Sequence, residues 1–450
     1  MSNLSGLFPL SPFSLFLFPF SPSITSGIQM IEKQVSDNGI TLLCEPLEHV
    51  KSVSVAVWVN TRPPLDWQRH GGVRHFIEHL AFKGTEHRSA REIANAIDSI
   101  GGALDAWTDH EATTFSAKVL DKHFNIGLDI LSDLVTAPRF DEEDIKRERK
   151  VILDELLRET SDPTSNTIDQ YLMDAWPNHP SGMLLLGGRQ NVLRMNRETV
   201  VQYYQEHYVG RNMVVACSGN IDAKCFFDAA KEAFSTIPAG HGPCAAEIEP
   251  PSYCAQKKLY ERKFDHINLC LGCKGLPYDN PYRYEFAALD TLLGGGVSSR
   301  LFQEIREKHG LCYSVCTLPV RRRDAGLFAI HSACAKKSIR RLVTLIVEEL
   351  RRLVAEGVAA EETDATKEQL KGSLMLALES THARVMMLAR GIVCFGKVFS
   401  LDEICAGVDA VTPDSVNELI QILLKDGQLG ITIVGNLDAS MLDKIDLSLS

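Results

Sequence analysis

From Ile31 onward the apolar residues fall into the periods of strands and helices. Val53-Ser54-Val55-Ala56-Val57-Trp58-Val59 alternates with a period of two and reads as a strand with one or both faces buried. A polar, glycine-containing stretch from Arg69 to Gly72 reads as a loop, and the segment after it as a helix. Ser89-Ala90-Arg91-Glu92 is a capping box, whose helix should stop at Gly101-Gly102. Ala103 to about Leu120 reads as one long β segment ending in Phe115-Ser116-Ala117-Lys118-Val119-Leu120. Asp141 then opens a strongly charged helix that runs to about Glu159.

A second pattern lies at longer range. Residues 238–255 hold Pro238, Gly240, Gly242, Pro243, Pro250 and Pro251 and read as a linker. The segments on either side of it echo each other. Val214-Val215-Ala216-Cys217-Ser218-Gly219-Asn220-Ile221-Asp222 resembles Ile431-Thr432-Ile433-Val434-Gly435-Asn436-Leu437-Asp438, with the Gly-Asn pairs 216 residues apart. The strand at Val53 has a counterpart at Ile267-Asn268-Leu269-Cys270-Leu271, 214 residues on. Two matches at nearly one offset indicate tandem duplicated domains, 30–237 and 256–450. Strands and helices interleave within each copy. The expected fold is therefore α+β: two α/β sandwiches, each a mixed sheet with helices packed on it.

Composition narrows the class without choosing a function. A chain of 450 residues calls for two or three domains, and its 45% apolar and 23% charged residues are ordinary for a globular protein. A net charge of −11 argues against nucleic acid or an acidic membrane surface as partner. Only Cys44 of the twelve cysteines precedes Cys217, which makes a disulfide framework lopsided. Cys270 and Cys273 stand three apart in an apolar strand, so their sulfurs should point to opposite faces and share no metal. Reduced buried thiols fit a cytoplasmic protein, with an organelle matrix as the alternative. Residues 1–29 carry no charged side chain, and so lack the basic region of a secretory signal and the arginines of a mitochondrial presequence. Their apolar stretch Phe13 to Phe20 is too short to span a bilayer. This leader is expected to be disordered, or to reflect a start site upstream of Met30.

The candidate chemistry sits in His75-Phe76-Ile77-Glu78-His79. Two histidines four apart on a helix lie one turn above each other, the spacing two imidazoles need to grip one zinc ion. Glu78 is placed to take a proton from water at that ion. The order H-x-x-E-H inverts the more familiar H-E-x-x-H of metalloprotease helices. A catalytic zinc usually takes a third protein ligand. Glu148 and Glu155 lie seven apart, on nearly one face of the charged helix. Glu155 sits among apolar neighbours, where a carboxylate is costly unless paired or metal-bound. It could equally be a surface glutamate. Glu148, among Lys146, Arg147 and Arg149, could be a solvated ion pair.

The run Gly71-Gly72-Val73-Arg74-His75-Phe76-Ile77-Glu78-His79-Leu80-Ala81-Phe82-Lys83-Gly84-Thr85 resembles the zinc-binding segment of the pitrilysin/insulinase metallopeptidases, a family that includes the mitochondrial processing peptidases. The likeness covers nearly everything from Met30 onward. In that family the third ligand is a glutamate 76 residues beyond the second histidine, which is Glu155 here, and a supporting glutamate matches Glu148. Asp105-Ala106-Trp107-Thr108-Asp109-His110-Glu111-Ala112-Thr113-Thr114-Phe115 resembles the strand that pairs with the substrate backbone. After Leu293-Gly294-Gly295-Gly296-Val297-Ser298-Ser299-Arg300-Leu301-Phe302, Arg306 and Tyr313 match an arginine and a tyrosine seven apart that reach the substrate carbonyl. The three glycines lack the Gly-Lys-Ser/Thr ending of a phosphate loop and read as a loop before a helix, bordering the peptide chamber. Two positions depart from the family. Arg74 stands where relatives have a small residue and is expected to alter the helix approach, and Asp105 replaces an asparagine, adding negative charge near the peptide.

The resemblance implies a zinc-dependent endopeptidase or oligopeptidase acting on peptides or unfolded segments in a closed chamber. His75, His79 and Glu155 would hold Zn²⁺, Glu78 would serve as general base, and Tyr313 and Arg306 would stabilise the oxyanion, at roughly 3 kcal/mol per good donor. Relatives about twice this length enclose a chamber with two bowls. A single bowl of this length implies a homodimer, with Arg306 and Tyr313 serving the zinc of the other subunit. The competing expectation is a subunit without catalysis that has a structural or substrate-binding role in a larger complex. A cysteine-based redox or storage protein would need paired thiols at ligand spacing, which the chain does not offer.

Overall fold

A computed structural model describes residues 31–61, 67–241 and 249–450. The expected leader and residues 242–248 of the expected linker lie outside them. Two mixed sheets organise the chain. The first contains β1 (Glu32–Val35), β2 (Thr41–Pro46), β3 (Ser52–Val59), β4 (Ala103–Thr108), β5 (Thr113–Leu120) and β6 (Met213–Gly219), in the order β1-β2-β6-β3-β5-β4. The second contains β7 (Lys257–Glu261), β8 (Ile267–Lys274), β9 (Cys312–Arg321), β10 (Gly326–Cys334) and β11 (Gly430–Gly435), in the order β7-β11-β8-β10-β9. Leaving β1 aside, the orders are the same. The directions match too: β2 and β6 are parallel, as are β7 and β11, and the other neighbours are antiparallel.

The sequence echo has a backbone counterpart. Ser54 faces Ser218 across β3 and β6, and Asn268 faces Val434 across β8 and β11, which reproduces the 214 and 216 offsets in register. Gly219 and Gly435, the paired glycines, both leave their strands at positive φ (145° and 152°), a conformation side-chain-bearing residues avoid.

Two local expectations need correction and one holds. The stretch from Ala103 to Leu120 is not one strand but the hairpin β4–β5. The Asp109 side chain accepts from the backbone N–H of Glu111 (2.7 Å) and Ala112 (2.9 Å), which folds a tight turn in the middle of the apolar run. The capping-box helix is Ala90–Asp98, capped by Ser89 and Glu92 and stopped by the glycines as expected: Gly101, at φ 66°, donates to the Asp98 carbonyl and Gly102 to the Ile97 carbonyl, at 3.1 Å each. Part of the expected loop before the zinc-type helix is itself a helical turn, Trp67–His70. The charged helix runs Glu142–Ser161 with Asp141 at its N-cap and three acidic residues in its first turn, which suits the helix dipole.

Each sheet buries one face in its own half's core and lends the other to a helix from the opposite half. Helix Pro163–Ala175 puts Tyr171, Leu172 and Ala175 against Cys270, Leu327 and Ala329 of the second sheet. Asp174 closes that contact, accepting from Tyr260 and Thr432 at 2.7 Å each. In return, helix Thr381–Phe395 buries Val385, Met386, Leu388 and Ala389 against Leu43, Ala56, Trp58 and Ala216 of the first. Each fully buried Val, Leu or Met contributes about 1.5–3 kcal/mol, so this exchange ties the halves together strongly. Cys270 and Cys273 fall in different clusters on opposite faces of β8, as the strand period required. Among the described residues no helix is long and apolar enough to cross a membrane.

Candidate metal centre

The entry to helix Val73–Ala81 depends on glycine. Gly72 has φ 85°, and a Cβ there would collide with the Leu186 carbonyl, so the chain can turn into the helix at this point only without a side chain. The apolar side of the helix, Val73, Phe76, Ile77 and Leu80, enters the same core as Ile145 and Ile152 of helix Glu142–Ser161. That shared core fixes the two helices side by side and brings the histidines of one to the glutamates of the other.

His75, His79 and Glu155 each offer one ligand atom, and the three atoms lie within 4.8 Å of one another. Glu155 Oε2 is 3.7 Å from His75 Nε2 and 3.3 Å from His79 Nε2. Zinc–ligand bonds of 2.0–2.1 Å in a tetrahedron put neighbouring ligand atoms about 3.3 Å apart. Two imidazoles and a carboxylate at this spacing are therefore a donor set that fits Zn²⁺.

Glu148 occupies the buried stripe Ile145, Glu148, Ile152, Leu156 and is 3% exposed, so it is not the solvated ion pair its basic neighbours suggested. Its Oε2 lies 3.1 Å from His79 Nδ1, which leaves Nε2 turned to Glu155 and orients the ring as metal-bound histidines are oriented. Lys83 Nζ holds the other oxygen at 2.9 Å. The 145-148-152-156 period is the signal, in the residues themselves, for the supporting place that the resemblance gave Glu148. His75 has no matching support among the described residues, where its Nδ1 is buried without a partner.

The charges follow the contacts. Burial, then the neighbouring His79, push His75 down to about 4 against the pull of Glu155. For His79 burial works against the cation, but hydrogen bonds to Glu148 and Glu155 outweigh it and push the imidazole up to about 9. Glu155 is held below the usual carboxylate range, chiefly by His79; Glu148 is too, because bonds from His79 and Lys83 outweigh its burial. The cluster thus holds a proton between two carboxylates, where a cation would replace it.

Glu78 lies on the same helix. Burial pushes its carboxyl up to about 7, against a hydrogen bond from Thr108 Oγ1 at 2.6 Å. Thr108 closes the β4–β5 hairpin opposite Thr113 and was not singled out from the sequence. Among the described residues β4 is an edge strand paired only with β5, with Asp105 exposed along it. Arg74 does not disturb the helix. It turns inward and donates to the Thr61 carbonyl at 3.1 Å.

Arg306 and Tyr313 lie apart from this cluster. The Arg306 guanidinium stacks on the rings of Phe302 (4.6 Å) and Tyr313 (5.0 Å), and Tyr313 is 84% exposed. Among the described residues no hydrogen bond or ion pair joins either to His75, Glu78, His79 or Glu155. In the second half, helix Arg283–Gly294 follows β8 as helix Val73–Ala81 follows β3, and it holds no histidine. Two surface cavities, of about 620 and 260 Å³, are lined by none of the cluster residues, so neither supplies a pocket for a substrate at the cluster.

Sequence comparison matches residues 42–188 to the family described as insulinase (peptidase family M16) and residues 194–370 to the peptidase M16 inactive domain. The chain is 34% identical over 397 residues to the uncharacterized zinc protease YmxG of Bacillus subtilis, covering 88% of this chain and 96% of that protein. It is 31% identical over 404 residues to the uncharacterized zinc protease SCO5738 of Streptomyces coelicolor, covering 88% of each. In three dimensions it resembles a peptidase M16 inactive domain from Pseudomonas fluorescens (TM-score 0.84, 18% identity, 91% of this chain and 98% of that one). A protease from Helicobacter pylori is similar to the same degree (TM-score 0.84, 19% identity, 90% and 100%).

Proposed function

Because the chain belongs to the insulinase family of peptidases, M16, we propose that it is a zinc-dependent endopeptidase or oligopeptidase working through His75, His79, Glu155 and Glu78. The observation that carries this reading is the convergence of three donor atoms within 4.8 Å beside the half-buried carboxylate of Glu78, on the helix of the two histidines. Zinc bound there would polarise a peptide carbonyl and make a water molecule acidic enough to attack it. Glu78, poised near neutrality, takes a proton from the attacking water and returns it to the leaving amine. Thr108 fixes which way that carboxylate points. The open edge of β4 can accept an extended peptide as the next strand, which holds the scissile bond beside helix Val73–Ala81.

In the same reading the working unit is a homodimer whose second copy closes the chamber and brings its Arg306 and Tyr313 to this centre. The exposure of Tyr313 in the single chain supports that assignment. Mixing His75→Ala with Tyr313→Phe chains should then rebuild one intact site. Exchanged dimers that gain no activity overturn the trans arrangement.

The reading as a whole is tested with a quenched-fluorescent peptide mixture. Cleavage should stop when a chelator removes zinc and return when zinc is restored at one equivalent per chain. Cleavage indifferent to the chelator would overturn it. A chain that neither holds zinc nor cleaves would be a structural subunit instead.

A further inference from the structure

The hairpin that ends at Thr108 is tied at its turn to the other half of the molecule. The β4–β5 turn, Asp109 to Ala112, meets the equivalent turn of the second sheet, Arg322 to Ala325, between β9 and β10. The backbone N–H of Arg323 donates to Glu111 Oε1 at 3.1 Å, and its guanidinium Nε lies 3.8 Å from Glu111 Oε2. Arg323 Nη2 also donates to Asn60 Oδ1 at 3.1 Å, just beyond β3, and to the Val393 carbonyl at 3.4 Å. On the other side of the turn Arg390 Nη2 lies 3.9 Å from Asp109 Oδ2. One cation therefore spans the first sheet, the second sheet's turn and the exchanged helix Thr381–Phe395.

The turn begins at the residue after the one that holds the base, and Glu111 lies three residues on from that one. Thr108 precedes Asp109, and its hydroxyl donates to Glu78 while facing Thr113 Oγ1 at 3.3 Å. Among the described residues β4 has a single neighbouring strand, and its end is held by the closing pair with Thr113, by the Trp107 ring against Trp58 and His382, by the bond to Glu78 and by the contacts that fix the turn. Edge strands with one partner fray from their ends. We infer that Glu111 and Arg323 are positioning residues for Glu78, acting through Thr108, so that the second half sets the geometry of the base in the first. The inference rests on the proposed role of Glu78 and deepens it. Neither residue touches substrate or metal. What they supply is the fixed position of a hydroxyl, and misplacement of a catalytic group by an ångström is costly in rate.

The test is a double-mutant cycle in the full-length zinc-loaded protein, read by peptide cleavage and by hydrogen exchange. Arg323→Gln should lower kcat about tenfold, Arg323→Lys should recover most of that loss, and zinc per chain should not change. In a Thr108→Val background, Arg323→Gln should cost less than about twofold further, because its route to Glu78 is already cut. Full, additive losses in both backgrounds would overturn the inference, as would a Gln variant with parental kcat. Exchange supplies a readout that does not depend on cleavage. Arg323→Gln should speed amide exchange in segments 103–113 and 73–81 and leave the central strand 213–219 unchanged. Unaltered exchange in 103–113, or a uniform rise, would overturn the inference even in an active enzyme. If the parent cleaves nothing, the proposed function fails, and the exchange pattern still decides whether the turn contact holds the Glu78 helix.

Discussion

Replacing Glu148 by glutamine should weaken zinc binding without unfolding the protein. Glu148 is buried and touches His79 Nδ1 at 3.1 Å and Lys83 Nζ at 2.9 Å. Two costs compete when its charge is removed. The first is to the fold: Lys83 loses its partner, but its side chain is 39% exposed and can turn to water, and the His79 ring keeps an acceptor in the amide oxygen and its ion pair with Glu155, so this loss should stay near about 1 kcal/mol. The second is to the metal centre. A carboxylate behind a ligating histidine fixes the ring and raises its basicity, and losing such a group typically costs 10–100-fold in metal affinity, or about 1.4–2.7 kcal/mol. Lys83 already offsets part of the Glu148 charge, which places the effect toward the lower end of that range. Competition against a chromogenic chelator would read the dissociation constant, and thermal unfolding of the metal-free protein would read the fold. The expected outcome is zinc affinity reduced at least about tenfold with the metal-free midpoint nearly unchanged. Unchanged zinc affinity would refute the role given to Glu148, and with it the orientation argued for His79.

Two further outcomes follow from other parts of the chain. Gly72→Ala forces a side chain into a positive-φ position against the Leu186 carbonyl, so it should cost about 3 kcal/mol or more and lower the unfolding midpoint by about 3–4 °C; an unshifted midpoint would show that this entry to the helix is not constrained. Asp169 is pushed up to about 7, first by burial and then by Glu159, from an ordinary value near 4. The unfolded chain therefore loses that proton before the folded one, and stability falls as pH rises from about 4 to 7. Asp169→Asn should remove the fall, gaining up to about 4 kcal/mol at pH 8 and little at pH 4, as read by urea unfolding at the two pH values.

What could be read from the sequence was what is local or repeated. The H-x-x-E-H spacing places two imidazoles on one helical face whatever surrounds it, and the structure brings His75 and His79 together with Glu155. The offset between the Gly-Asn pairs reflects a shared strand order, so the duplication was legible before any sheet was seen. What stayed hidden depends on partners distant in the chain. An apolar stripe tells that Val385, Met386 and Leu388 are buried, but not that they cover the other half's sheet. Thr108 is one threonine among several on an alternating segment. Its role emerges only when Asp109 breaks that segment into a hairpin and sets the hydroxyl beside Glu78. The basic neighbours of Glu148 left a solvated ion pair open, and only the resemblance gave it a supporting place; its position on a buried stripe beside His79 depends on the second helix.

The most direct measurement compares the parent protein with Glu78→Gln for bound zinc and for cleavage of a quenched-fluorescent peptide mixture. The substitution leaves His75, His79 and Glu155 in place and removes the group assigned as base. The account predicts about one zinc per chain in both proteins and cleavage by the parent alone. Cleavage by Glu78→Gln at the parental rate, or a parent that binds no zinc, would contradict it.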